Sequence, residues 1–436
     1  MNMKVNIVSK EMIKPTSPTP NHLCSYQLSF LDQISPPVYN HFVMFYNHEK
    51  YDTSNNGAEL SIVEISNKLK TSLSHALTLF YPLAGRLKED ASCVECNDMG
   101  IPFIEANVSS QLSEFLTQSP IIPSDLNKFI PFETEMVSEI LFGIQLNIFN
   151  CGSIAIGSCI SHKIADGLSF FMFLKKWAAI ARGDDDEHNQ AACRPQFEAA
   201  SLFPPKNISG FNPRVGIKNK SDFISKRFVF NASTIQNLKE KYAVNNKGTL
   251  SRVEALSAFI WSRFVAVTHV ESKSTSYKAI VHAVNLRTRF EPQLSEYSFG
   301  NLYRIVVINV VGSENNDCEI VKQMREQLSH IDDKYLKNLQ EGTEHLDYIK
   351  NGGKELLKRE MTVLLNFSSW CRFPIYESNF GWGKPAWVGL PPLPFNNVVV
   401  FIDTKSGEGI EAYINLHQND MAKLETDKEF LAFVSV

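Results

Sequence analysis

The chain has no excess of positive charge. Its 436 residues carry 43 Lys+Arg against 47 Asp+Glu, a net charge of -4. That balance gives no basic footprint for nucleic acid or an anionic membrane, so small molecules are the expected partners. No run of 18 or more apolar residues occurs, which leaves no candidate spanning helix. The opening segment, MNMKVNIVSKEMIKP, lacks the apolar core of a secretory signal, and a cytoplasmic protein is expected. Eight cysteines are few for this length, and several lie in apolar strand-like runs, as reduced buried thiols do. Cys93 and Cys96 have C-x-x-C spacing, but neither a second such pair nor a nearby histidine pair accompanies them, so they read as strand positions.

Several reaction classes fall with missing motifs. The absence of a G-x-S-x-G elbow weighs against an α/β-hydrolase serine. G-x-G-x-x-G, P-loop and H-E-x-x-H patterns are absent too, which removes the dinucleotide, NTP and zincin readings.

What is present is the composition of a globular protein, 44% apolar and 21% charged, too long for one hydrophobic core. Five prolines among residues 15 to 37 predict a rigid, extended start around a short strand, Tyr26 to Phe30. Ile65 to Phe80 places Leu69, Leu73, Ala76, Leu77 and Phe80 on one helical face. Cys93 to Ala106 reads as strand, turn, strand. From Gly183 to about Ser221 the periodicity is lost among charge, Asn, Pro and Gly, which marks a linker. Beyond it, Lys226 to Phe230 reads as a strand and Ser233-Thr234-Ile235-Gln236 as a capping box opening a helix. Helices are then expected over Arg252 to Val267 and Cys318 to Leu339. Strands are expected over Ala279 to Leu286, Tyr303 to Val311, Asn397 to Asp403 and Ile410 to Leu416. The fold class is therefore α/β with mixed sheets.

The stretch from Leu141 to Ala181 carries the candidate chemistry. It alternates to Ile148, turns at Asn150-Cys151-Gly152, alternates again to Ser158, and from Leu168 takes helical spacing. His162, Lys163, Ile164, Ala165, Asp166 and Gly167 occupy the changeover from strand to helix. A side chain fixed there by rigid elements on both sides still faces a cavity. Histidine, with a reference pKa of about 6.5, takes and returns a proton near neutrality. The H-x-x-x-D spacing alone is not decisive, since His48 to Asp52 shows it as well, in a polar stretch. Context separates the two. The competing reading of His162 is a buried histidine that holds a strand end. A turn need not bring residues i and i+4 together, so Asp166 is expected to turn away and hold the loop to a basic residue elsewhere. Gly167 leaves space beside His162.

His162 to Gly167, paired with Asn379, Phe380, Gly381, Trp382, Gly383, Lys384 and Pro385, resembles the H-x-x-x-D and D-F-G-W-G motifs of the plant BAHD acyltransferases. The resemblance extends over nearly the whole chain through Ile13 to Pro20, Leu28 to Gln33, Phe80 to Leu87, Ala283 to Arg289, Phe299 to Asn301 and Gly407 to Ala412. It implies two chloramphenicol-acetyltransferase-like domains of mixed sheets and flanking helices, with a channel between them. Residues 1-200 would form the first domain, 201-220 the crossover and 221-436 the second. Acyl-CoA, acetyl-CoA first, would be the co-substrate and a small-molecule alcohol the acceptor. An alkaloid is the first expectation and an acylsugar or terpenoid alcohol the next. No metal, nucleic acid or membrane is implied, and the family habit is monomeric. His162 would act as general base, while Asp166 and Gly167 would be structural together with Asn379, Phe380, Gly381, Trp382 and Gly383. The residues that contact CoA are not marked.

One position departs from the motif: the family aspartate is Asn379 here. The resemblance implies that it pairs with Arg287. Asparagine would keep a hydrogen bond but lose its charge assistance, with reduced rigidity as the expected cost. The same departure leaves open a non-acylating family member, either a cyclase or eliminating enzyme or an idle binding protein.

Overall fold

The computed structural model describes residues 3–47, 60–118, 121–132, 139–184, 194–209, 211–213, 217, 222–243, 249–268, 277–310, 317–341 and 362–435. The second H-x-x-x-D match, from His48, lies outside them. In chain order the strands are β1 (Val5–Ile13), β2 (Ser25–Gln27), β3 (Tyr39–Tyr46), β4 (Arg86–Leu87), β5 (Cys93–Glu95), β6 (Ile101–Val108), β7 (Phe142–Phe149) and β8 (Ile154–Ser161), then β9 (Phe223–Phe230), β10 (Tyr277–Asn285), β11 (Tyr303–Asn309), β12 (Thr362–Ser369), β13 (Trp387–Gly389), β14 (Val398–Asp403) and β15 (Ile410–His417). They divide between two compact units.

The first unit holds a six-stranded mixed sheet in the order β1-β6-β7-β8-β3-β13, beside a small sheet β2-β5-β4. Its β6–β7 pair is parallel and the others antiparallel. The hairpin β7–β8 forms as the alternation predicts, yet every residue of β8 is buried. Both faces of this strand are covered, which is why its polar positions are the small Ser158 and Ser161. Helices α1 (Phe30–Ile34), α2 (Ile62–Leu79), α3 (Leu112–Leu116), α4 (Gly167–Arg182) and α5 (Ala199–Leu202) belong to this unit. Phe42 and Phe142 pack edge-on against Phe170 of α4. On Phe45 converge Phe115, Phe129 and Phe149. Burying one such side chain contributes about 1.5–3 kcal/mol.

The second unit holds the sheet β11-β10-β12-β14-β15-β9, in which β10–β12 and β12–β14 are parallel. Its helices include α6 (Ala232–Ala243), α7 (Arg252–Val267), α8 (Asp317–Ser329) and α9 (Asp333–Glu341). The single helix expected from Cys318 to Leu339 is thus two. Asp332 Oδ1 accepts from Tyr335 N at 2.8 Å and starts a second helix there. Asn231, not Ser233, caps α6, accepting from Thr234 N at 2.8 Å. The strand expected at Tyr26 to Phe30 ends at Gln27, because Ser29 and Asp32 form a capping box that opens α1.

The units are not contiguous in sequence, unlike the 1-200 and 221-436 division that the family resemblance implies. Ser295–Leu302 and Phe373–Pro392 return to the first unit, which takes Asn379 to Gly383 out of the second. Pairing of β13 with β3 accounts for the second of these returns. Among the described residues no helix is long and apolar enough to cross a membrane.

Candidate active site

Every contact described in this section lies within the first unit, apart from those of Arg287. The end of β8 delivers His162 to a turn whose backbone is pinned at His162 N, which donates to Val38 O at 2.8 Å. The imidazole is half-buried and its Nδ1 lies 2.9 Å from Asn301 Oδ1. The rest of the Asn301 amide fixes the proton. Its Nδ2 faces two acceptors, His162 O at 2.8 Å and Asp32 Oδ1 at 2.8 Å, so both amide hydrogens are used there. Oδ1 is therefore the atom facing the ring, Nδ1–H donates to it, and the lone pair of the neutral imidazole sits on Nε2. Burial lowers the His162 pKa from its ordinary value, against the opposing pull of Asp166 and Asn301. A neutral, proton-accepting imidazole at neutral pH follows.

Asp32 anchors this arrangement. Its Oδ1 accepts from Asn301 N at 2.9 Å and from Asn301 Nδ2. Its Oδ2 accepts from Ser29 N at 2.9 Å and Ser29 Oγ at 2.6 Å. Burial raises the Asp32 pKa while these four donors pull it back. All four partners present hydrogens, which is the environment of a carboxylate.

Asp166 engages the backbone. Oδ1 accepts from Ser169 N at 2.9 Å as the N-cap of α4, and Oδ2 accepts from Leu302 N at 3.1 Å. Its role thus includes joining α4 to the segment that carries Asn301, where the sequence suggested only a basic partner. Gly167 is the first residue of α4.

The Asn379 segment folds as a compact loop against α4. Asn379 Oδ1 accepts from Gly381 N and Gly383 N, each at 2.9 Å, and its backbone oxygen accepts from Arg182. An amide oxygen serves these glycine N–H groups as a carboxylate oxygen would, so the loop keeps its bonds despite the departure from aspartate. Gly381 and Gly383 have φ of +112° and +97°, which a side chain would strain. Phe380 and Trp382 are buried and stacked at 5.7 Å, and Phe380 meets Trp177 of α4 edge-on at 4.7 Å. Arg287 is buried in the second unit, where its Nη1 donates to Asn285 Oδ1 at 3.3 Å. The pairing of Asn379 with Arg287 stays a proposal.

Sequence reasoning gave no role to Asp32, Asn301 or Lys163. All three lie in stretches that resemble the family motifs, and the Ser29-x-x-Asp32 capping pattern was a local signal. Their convergence on His162 spans up to 139 residues of chain.

The site thus brings together His162, Asn301, Asp32 and Asp166 within the first unit. Residues 3–431 match the transferase family, and the chain belongs to it as one of the BAHD acyltransferases. It is an acyltransferase. It is similar to stemmadenine O-acetyltransferase of Catharanthus roseus, with 35% identity over 98% of this chain and 97% of that one. A limonoid 21-O-acetyltransferase of Melia azedarach is also 35% identical, over 99% of each chain. The crystal structure of vinorine synthase superposes with a TM-score of 0.83 at 32% identity, covering 99% of both chains.

Proposed function

We propose that this protein transfers an acetyl group from acetyl-CoA to a hydroxyl of a plant specialised metabolite, an alkaloid alcohol in the first instance, with His162 as general base. The observation that carries the reading is the tautomer of His162. Asn301 holds Nδ1–H, which leaves Nε2 to accept the hydroxyl proton. As that proton passes to Nε2, the acceptor oxygen attacks the thioester carbonyl. The tetrahedral oxyanion collapses with cleavage of the C–S bond, and the imidazolium returns its proton to the departing CoA thiolate. No acyl-enzyme is formed, and the proton balance closes within one turnover.

Terpenoid alcohols are the second reading, supported by the limonoid acetyltransferase among the relatives. Acetyl-CoA with a panel of alkaloid, terpenoid and sugar alcohols, beside His162→Ala, tests both readings. The expected result is CoA release that requires acceptor and His162, with a product heavier by one acetyl group. An intact fold that binds acetyl-CoA yet shows no His162-dependent release with any acceptor would favour the cyclising, eliminating or idle readings.

A further inference from the structure

Lys163, next to His162 in the chain, has no role in the transfer as drawn, yet among the described lysines it is one of the most buried, 4% exposed. Its ammonium donates to three backbone carbonyls, Asp32 O at 2.8 Å, Gln33 O at 2.8 Å and Ser35 O at 3.1 Å. Those carbonyls are the last turn of α1 and the residue after it, the end of a short helix where few backbone donors are at hand; among the described residues Asp32 O takes only Ser35 N, at 3.2 Å, besides the ammonium. Three ammonium hydrogens meet three carbonyl oxygens, so the lysine acts as a side-chain cap on the C-terminal end of α1.

The consequence lies in what α1 carries. Asp32 takes Lys163 on its backbone oxygen and Asn301 on its carboxylate. Asn301 in turn holds His162 Nδ1 and His162 O, and His162 is joined to Lys163 by a peptide bond. The contacts form a closed ring: His162, Asn301, Asp32, Lys163 and back to His162. The ring also places a cation near the buried carboxylate, without which Asp32 would be an uncompensated charge. We propose that Lys163 is a positioning residue for proton transfer at His162: by clamping the end of α1 it holds Asp32 where Asp32 fixes Asn301, and through Asn301 the imidazole tautomer. This inference rests on the general-base reading of His162.

The titratable groups around the ammonium are the Asp32 carboxylate from α1 and the His162 imidazole on its own turn, with the Tyr26 hydroxyl from β2 acting on Asp32. Burial brings the Lys163 pKa down to about 8, opposed by Asp32. The clamp is complete below that pH. Above it, one of three donors and the countercharge are lost together.

The test uses the full-length protein labelled with 15N-histidine, the His162 signals being assigned by their disappearance in His162→Gln. In wild type below pH 7.5 the ring nitrogens should report one tautomer with the proton on Nδ1. Between pH 7.5 and 9 that signature should shift toward a tautomer mixture with a midpoint near 8, and kcat should fall over the same range. Lys163→Met should give the mixture at all pH values and lower kcat roughly 10–100-fold with KM within about threefold, the scale seen when a supporting partner of an active group is lost. Lys163→Arg, which keeps the charge at every pH, should recover part of kcat and lose the limb near pH 8. A folded Lys163→Met with wild-type kcat, or one whose His162 ring nitrogens keep the single wild-type tautomer, overturns the proposal. Should Lys163→Met not fold, Lys163→Gln is read in the same way, and a single tautomer with wild-type kcat there overturns it too. The tautomer measurement is also independent of the acceptor, so absence of turnover would count against acetyl transfer and not against the clamp.

Discussion

Replacing Asn301 by alanine isolates the contact on which the proton inventory depends. The change removes three bonds at once: Oδ1 to His162 Nδ1, and Nδ2 to His162 O and to Asp32 Oδ1. The backbone N–H of residue 301 still serves Asp32, as do both donors of Ser29, so the carboxylate retains three of its four partners. For the imidazole, losing a neutral hydrogen bond costs about 1 kcal/mol, and releasing the ring to rotate or change tautomer adds a similar amount. Since about 1.4 kcal/mol is a factor of ten, kcat should fall roughly 10–100-fold, with KM nearly unchanged. His162→Ala removes the base itself and should cost about 10²–10⁴-fold. The bond lost by buried Asp32 is charge-assisted, and stability should drop by about 1.5–3 kcal/mol. The assay should follow thioester absorbance and not a thiol dye, because exposed Cys24 and Cys151 would react with the dye. A folded Asn301→Ala enzyme whose kcat stays within twofold of wild type refutes the orienting role. Equal losses in Asn301→Ala and His162→Ala would instead mean that the asparagine takes part directly.

Three further outcomes follow from the same physics. The acid limb of kcat/KM should lie below the ordinary histidine value of 6.5, because burial favours neutral His162 and activity rises as the free enzyme loses that proton; a limb above 6.5 in the rate profile contradicts this. His41 and His282 are buried with pKa values brought down to about 4 by burial, so stability is full above pH 6.5 and declines as pH falls toward 4, by about 3 kcal/mol for each. His282→Phe, which keeps the stack on Phe367 at 5.2 Å and removes a ring nitrogen without a hydrogen-bond partner among the described residues, should flatten that decline in thermal unfolding from pH 7 to 4. Asn379→Asp should change Tm and kcat little, whereas Asn379→Ala, which leaves the amides of Gly381 and Gly383 without their acceptor, should cost about 1–2 kcal/mol by chemical denaturation; a large effect of the aspartate variant would show that the negative charge matters at this loop.

Local pattern determined much of this protein. The hairpin before His162, the helix after it, α2 and α7 all follow from apolar spacing, because a strand of period two and a helix of period 3.6 place apolar faces whatever the rest of the chain does. His162 stood out as a proton acceptor for the same reason: it closes one period and precedes another. Local pattern misled where a polar side chain changed the path. Asp332 divided one expected helix into α8 and α9, and Asn231 took the cap assigned to Ser233. Tertiary structure alone decided which polar groups meet. Asn301 reaches His162 across 139 residues, Lys163 reaches Asp32 across 131, and Asn379 to Gly383 rejoin the first unit beside α4. No periodicity encodes such meetings. They arise because a buried donor or acceptor must find a partner wherever the packed sheets and helices bring one, and that requirement acts in space, not along the chain.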